Sequence, residues 1–286
     1  MAGWHTRRVR YPFVEVDVFS EQPFLGNPVA VVLDADDLNE ATMQRIARWT
    51  NLSETTFVLT PTESGADYRV RIFTPVGELP FAGHPTLGTC HAWLDHCTTD
   101  RPDSNRTDVT QQCAAGLIRV RRRGGRLAFA APPLLRSGPV DPAVQREVLE
   151  VAGLDEADVV AVEWADNGPG WIAVLLRDAD AVLAARLAFT ERFIGLAGPH
   201  PTGSPEAIEV RAFFPKDGVL VEDPVTGSLN AALGVILTEH GDVTPPYVAA
   251  QGQLLGRVGR IHVEVDDGAV WVGGATSTLV AGQLEA

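Results

Sequence analysis

Cationic side chains are scarce in this sequence: 23 Lys and Arg stand against 37 Asp and Glu in 286 residues, a net charge of −14. A chain this acidic repels phosphate backbones and anionic bilayers, which argues against nucleic acid or a membrane surface as partner. No apolar run approaches the length of about 18 residues that a spanning helix needs. Residues 1–10 carry the positive charge of a secretory leader without an apolar stretch behind it, and a short loose tail is expected there. The 3 cysteines, Cys90, Cys97 and Cys113, are an odd number without a disulfide framework, which suits a reducing cytoplasm. Also missing are a Gly-x-Ser-x-Gly elbow, a Walker loop and a Gly-x-Gly-x-x-Gly turn after a strand, so neither a hydrolase triad nor a nucleotide site is expected. His91 and His96 are five apart on a predicted helix and do not share a face, so no metal site is expected.

What is present centres on Arg71-Ile-Phe-Thr-Pro75 and the run that follows it to Gly88. Tyr68 to Phe73 alternates as a strand, Pro75 breaks it, and Gly83-His84 leads into Pro85, placed at the first position of an apolar helix. Trp93 and Leu94 of that helix read as core. Open backbone amides at the helix start suit a carboxylate or phosphate, and His84 beside them can donate, accept or carry a proton near neutral pH. Arg211-Ala-Phe-Phe-Pro215 repeats the Arg-x-Phe-x-Pro pattern 140 positions on (215 − 75). Glu222-Asp223-Pro224 then falls where Ala82-Gly83-His84-Pro85 fell, and a second apolar helix runs from Leu229 to a stop at Gly241. Asp223 reads as its N-cap with Pro224 at its first position.

The repeat extends upstream. Asn27-Pro28 has a counterpart in Asn167-Gly168-Pro169. Strands Val29 to Leu33 and Trp171 to Arg177 each end in Asp-Ala-Asp, at residues 34 and 178, and each triplet opens a helix, one with Met43, Ile46, Ala47 and Trp49, the other with Val182, Leu183 and Leu187. Two copies of one β-rich module follow, divided as residues 1–131, joined by the last strand 275–286, and residues 132–274. Pro132-Pro133 reads as the hinge. Glu54, between a polar loop and a strand, is either a solvated acid or a carboxylate held for chemistry; the second copy, at Ile194 to Gly203, offers no acid there. Arginines 119, 121, 122, 123 and 126 read as solvated charges around the tip of a hairpin at Gly124-Gly125. A further helix is predicted over 139–153 and strands over 13–19, 261–265, 270–273 and 277–281, an α+β architecture.

At Asn51-Leu-Ser-Glu54, Gly83-His84-Pro85 and Glu222-Asp223-Pro224-x-Thr-Gly-Ser228 the chain resembles the PhzF family of phenazine-biosynthesis proteins. The resemblance implies the diaminopimelate epimerase-like fold: two pseudo-symmetric domains, each a β-barrel-like sheet around a central helix, with the active site in the cleft between them. It implies a cytoplasmic, homodimeric, cofactor-free isomerase of a small carboxylate such as trans-2,3-dihydro-3-hydroxyanthranilate. Catalytic roles fall on Glu54 as acid/base, His84 and Asp223, and substrate contacts on Ser53, Gly83, Gly227 and Ser228. Racemases of this fold use two facing cysteines, and none of the cysteines here falls at either helix mouth. An epimerase or lyase on another small amino or hydroxy acid, and a non-catalytic acid-binding protein, are the alternatives.

Overall fold

The computed structural model describes residues 9–100, 107–216 and 218–286; the tail expected at the N-terminus lies outside the described residues up to residue 8. The chain divides into two compact units. The first comprises the residues to Val18, Pro28–Val120 and Thr276–Ala286; the second comprises Phe19–Asn27 and Arg121–Ala275.

In the first unit β1 (Arg10–Val18) pairs antiparallel with the last strand, β18 (Thr276–Glu285). β2 (Asn27–Val32) runs parallel to β3 (Glu54–Leu59), and the crossover between them is α1 (Glu40–Thr50). The side chain of Asn39 caps α1 by accepting the Thr42 N–H, and Asn51 ends it in the left-handed region at φ 55°. β4 (Tyr68–Phe73) is antiparallel to β3, and β5 (Glu78–Leu79) antiparallel to β4. The chain then enters α2 (Gly83–Asp100) and returns as β6 (Asp108–Cys113), parallel to β4. β7 (Gly116–Arg123) leads on to the remainder of the chain.

The second unit contains β8 (Arg126–Ala130), β9 (Arg136–Pro139), α3 (Pro142–Ala152) and β10 (Val159–Asp166), and then repeats the order of the first. β11 (Ile172–Leu176) is parallel to β12 (Ile194–Pro199) through α4 (Ala179–Ala184). β13 (Ile208–Lys216) is antiparallel to β12, and β14 (Val219–Asp223) antiparallel to β13. α5 (Gly227–His240) precedes β15 (Tyr247–Gln251), parallel to β13, and β16 (Gly259–Asp266) and β17 (Ala269–Gly274) form a closing hairpin. The duplication read from the sequence is thus a duplication of strand order, direction and helix placement.

Each unit wraps strands around one helix whose first turns are buried on all sides, the position of an interior helix. In α2 every residue from Gly83 to Cys90 is buried, and the helix packs on β1, β3, β6 and β18. In α5 the run Gly227 to Gly234 is buried, with Ile236 and Leu237, against β10, β16 and β17. Close approach depends on glycine: a Cβ on Gly88 of α2 would lie 2.3 Å from Val29 Cγ1, and one on Gly195 of β12 would lie 2.4 Å from Leu229 Cδ1.

The structure corrects several local readings. α4 ends at Ala184, so Leu187 follows the helix and packs on the core from a loop. Trp93 and Leu94 are only half-buried; Trp93 covers Tyr68, with ring centroids 5.1 Å apart. α2 begins at Gly83, two residues before Pro85, and the cap of α5 is Thr226, three residues after Asp223. Arg121 is buried and not solvated: its guanidinium lies 4.0 Å from the Trp271 ring centroid and bonds Asp266 at 2.6 Å and Glu264 at 2.8 Å. Arg123 shares Asp266 and Arg126 reaches Glu21, so these basic groups near the tip answer acids far away in the sequence.

Candidate active site

Glu54 opens β3, opposite Val29 of the parallel neighbour, at the point where the loop from α1 enters the sheet. His84 is the second residue of α2. The fold brings the two together: Glu54 Oε2 lies 3.2 Å from His84 Nε2, with the side chains 14% and 5% exposed. The imidazole also donates to the Pro28 carbonyl, an acceptor-only backbone group, and with Nε2 turned to Glu54 the donor is Nδ1. Burial pushes the His84 pKa down to about 3, against the smaller raising effect of the Pro28 bond, so the ring is neutral at pH 7. A hydrogen bond across the Glu54–His84 contact then needs one proton shared between two groups. Gly83 starts the helix beside them, and Ser53 stands half-buried in the bend just before Glu54.

In the second unit Asp223 ends β14 and spends both carboxyl oxygens on side chains. Oδ1 accepts from Asn27 Nδ2 at 3.2 Å and Oδ2 from the Thr226 hydroxyl at 2.6 Å. Asn27 Nδ2 also donates to the Val225 carbonyl at 2.9 Å, and Thr226 in turn is held by Gln251. Asp223 keeps an exposed edge yet lies deep among protein atoms. Desolvation lifts its pKa to about 6, with Glu222 adding to the rise and the Thr226 and Asn27 bonds opposing it. Gly227 and Ser228 open α5; Ser228 Oγ accepts from Trp171 Nε1 at 3.0 Å, and its carbonyl accepts from Asn167 Nδ2 at 2.8 Å. Among the described residues no group of three or more His, Cys, Asp or Glu is placed to hold a metal.

The Arg-x-Phe-x-Pro repeat is structural. Arg71 forks onto Glu78 at 2.7 and 2.6 Å and Arg211 onto Glu222 at 2.9 and 2.9 Å; each guanidinium also lies over the Phe two residues on, at 5.0 Å and 4.8 Å. Sequence reasoning missed Asn27, Thr226 and Gln251 as the support of Asp223. A signal was available, because Thr86 and Gln111 stand 140 positions before Thr226 and Gln251 (226 − 86, 251 − 111).

A family model described as phenazine biosynthesis-like protein, PhzC-PhzF, matches residues 16–283. The chain belongs to the PhzF family. A trans-2,3-dihydro-3-hydroxyanthranilate isomerase of Pseudomonas fluorescens is 38% identical over 251 residues, spanning 86% of this chain and 87% of its own. The antisense-enhancing sequence 1 protein of Schizosaccharomyces pombe is 34% identical, covering 96% of this chain and 98% of its own. A crystal structure of a predicted epimerase from Pseudomonas aeruginosa superposes with a TM-score of 0.78 at 28% identity, over 96% of this chain and 99% of that one. The two-unit α+β architecture is therefore the PhzF fold, and isomerisation is the reaction class this chain shares with its PhzF relatives. No helix among the described residues is long and apolar enough to cross a membrane.

Proposed function

We propose that the chain is a cofactor-free isomerase that moves one proton, and with it a ring double bond, in a small cyclic amino or hydroxy acid such as trans-2,3-dihydro-3-hydroxyanthranilate. The observation that carries this reading is the buried Glu54–His84 contact at 3.2 Å with the imidazole held neutral. A C–H beside a conjugated system is weakly acidic. A carboxylate sheltered from water can remove that proton if neighbours stabilise the charge that develops, and can return it to a more distant carbon. Glu54 takes that role: ionised, it removes the proton, and once protonated it can donate to the acceptor Nε2 of neutral His84 until the proton is returned. The amides opening α2 and α5, with Gly83, Gly227 and Ser228, suit the substrate carboxylate, Ser53 flanks the base, and Asp223 suits an amino or hydroxyl group.

Epimerisation of a small acid is the competing reading, because it starts from the same deprotonation. It calls for a second base on the opposite face, and the residue in the second unit that matches Glu54 is Ile194. That favours one acid/base and a proton returned along the substrate. A homodimer in a reducing cytoplasm belongs to the same proposal; three cysteines without a disulfide among the described residues agree with that compartment.

The test is turnover of trans-2,3-dihydro-3-hydroxyanthranilate in deuterated solvent, read by mass and NMR. Wild type should isomerise it, and Glu54→Gln should fold normally and do nothing. Turnover by the Gln variant would remove Glu54 from the chemistry; deuterium uptake by other small acids alone would move the substrate class.

A further inference from the structure

The two central helices begin with the same relay, and it ends differently in each. Gln111 Nε2 donates to Thr86 Oγ1 at 3.0 Å, and Gln251 Nε2 donates to Thr226 Oγ1 at 2.9 Å. A threonine hydroxyl has one proton, so an oxygen that has accepted from the amide sends its own proton elsewhere. Thr86 sends it to the Ala82 carbonyl at 2.9 Å; Thr226 sends it to Asp223 Oδ2 at 2.6 Å. The first copy has Gly83 where the second has Asp223, 140 positions on (223 − 83).

Gln251 cannot turn over. It is 1% exposed; its Oε1 accepts from the Thr226 N–H at 3.0 Å and Asn230 Nδ2 at 2.9 Å, while its Nε2 donates to the Asp223 carbonyl at 3.1 Å and to Thr226 Oγ1. A flipped amide would set its NH2 against two donors, so the network assigns its orientation. Asn230 is fixed by the Thr226 carbonyl at 2.9 Å. On the far side of the carboxyl group Asn27 donates at 3.2 Å, and the adjacent acid, Glu222, is paired with Arg211 at 2.9 Å.

We propose that Thr226 and Gln251 are positioning residues that hold Asp223 as a hydrogen-bond acceptor, reserving its remaining lone pairs for an N–H or O–H of the substrate. The substrate half of this statement rests on the isomerase reading above; the relay itself does not. In physical terms the relay offsets the cost of burying the carboxylate, and only the copy with an acid at the helix mouth needs it for that purpose.

The experiment is a ¹³C NMR titration of the Asp223 carboxyl carbon in the full chain, assigned with Asp223→Asn. Wild type should titrate near pH 6. Thr226→Val, or Thr226→Ala if the valine variant does not fold, should raise the midpoint by about one to two pH units, the worth of one lost charge-assisted bond. Thr226→Ser should restore it, and Thr86→Val, the same change in the other copy, should leave it in place. An unmoved midpoint in both hydroxyl-free variants, or an equal shift from Thr86→Val, would overturn the proposal. On trans-2,3-dihydro-3-hydroxyanthranilate the Thr226→Val variant should show a raised KM that recovers with increasing pH, with kcat changed less. Absence of wild-type turnover would defeat the isomerase reading while the titration still decides the relay.

Discussion

Glu54 and Ile194 occupy the same point of two equivalent strands: each is the first residue of the strand reached through a crossover helix, one opposite Val29 and the other opposite Ile172. At this place the duplication holds in the backbone and is broken in the chemistry. One copy presents an acid next to a buried imidazole; the other presents an aliphatic side chain that is fully buried.

Replacing Glu54 by Gln keeps the shape of the side chain and removes the proton acceptor. Proton exchange at the substrate should fall by about 10²–10⁴-fold or below detection, the range for loss of general acid–base catalysis. Thermal melting should stay close to wild type, and Ile194→Val should leave exchange unchanged. Solvent-deuterium incorporation measures all three.

The buried His84 makes stability depend on acid. Its pKa falls from 6.5 in the unfolded chain to about 3 in the folded one, so below pH 6.5 the unfolded chain binds the extra proton. Stability present above pH 6.5 is lost as pH falls towards 3, by about 1.4 kcal/mol per unit. Asp223 acts in the opposite sense: its pKa rises from 3.8 to about 6, so its contribution weakens as pH increases across that window. Denaturant melts of wild type and His84→Asn at pH 6.5 and pH 4 separate the two, and the Asn variant should lose less on acidification.

The two fork-bonded arginines should differ in worth. Arg211 and Glu222 are 7% and 13% exposed, whereas Arg71 and its partners Glu78 and Glu40 are 26%, 33% and 72% exposed. Arg211→Met leaves a buried acid without its cation and should cost about 3–5 kcal/mol. Arg71→Met should cost about 1 kcal/mol or less, because solvent screens what remains. Equal losses in chemical denaturation would contradict this ordering.

Gly88→Ala and Gly195→Ala should each destabilise by about 1–3 kcal/mol through overpacking. The new methyl at Gly88 meets a strand valine at 2.3 Å, and that at Gly195 meets Leu229 at 2.4 Å. Gly77→Ala, where nothing lies within 4 Å, is the control in the same melting experiment.

The sequence revealed those parts of the fold that repeat as local patterns. Arg71-x-Phe-x-Pro75 and Arg211-x-Phe-x-Pro215 are legible because the fork, the ring and the chain break lie within a few residues of one another. Glu54 was legible as an acid at a loop–strand junction, but its 3.2 Å contact with His84 depends on a strand and a helix 30 residues apart (84 − 54). The start of α5 was misplaced because Asp223 resembles a cap, whereas Asn27 and Thr226 already occupy its oxygens. Arg121 was misread because its acids, Glu264 and Asp266, are supplied by a strand more than a hundred residues later. Thr226 and Gln251 are common residue types with no motif of their own, and only the constant displacement from Thr86 and Gln111 singles them out.

β18 gives the first unit its closing strand, and the backbone groups of Val9 and Ala286 bond each other at 3.0 Å in both directions. A ribosome makes that strand only after the second unit's Arg121–Ala275. The N-terminal unit must therefore wait, with β1 unpaired along one edge, until the whole of Arg121–Ala275 has been synthesised, although its own residues emerged first. Its completion has a high loop-closure cost and a late start, so during synthesis the later-made unit has the earlier opportunity to become native.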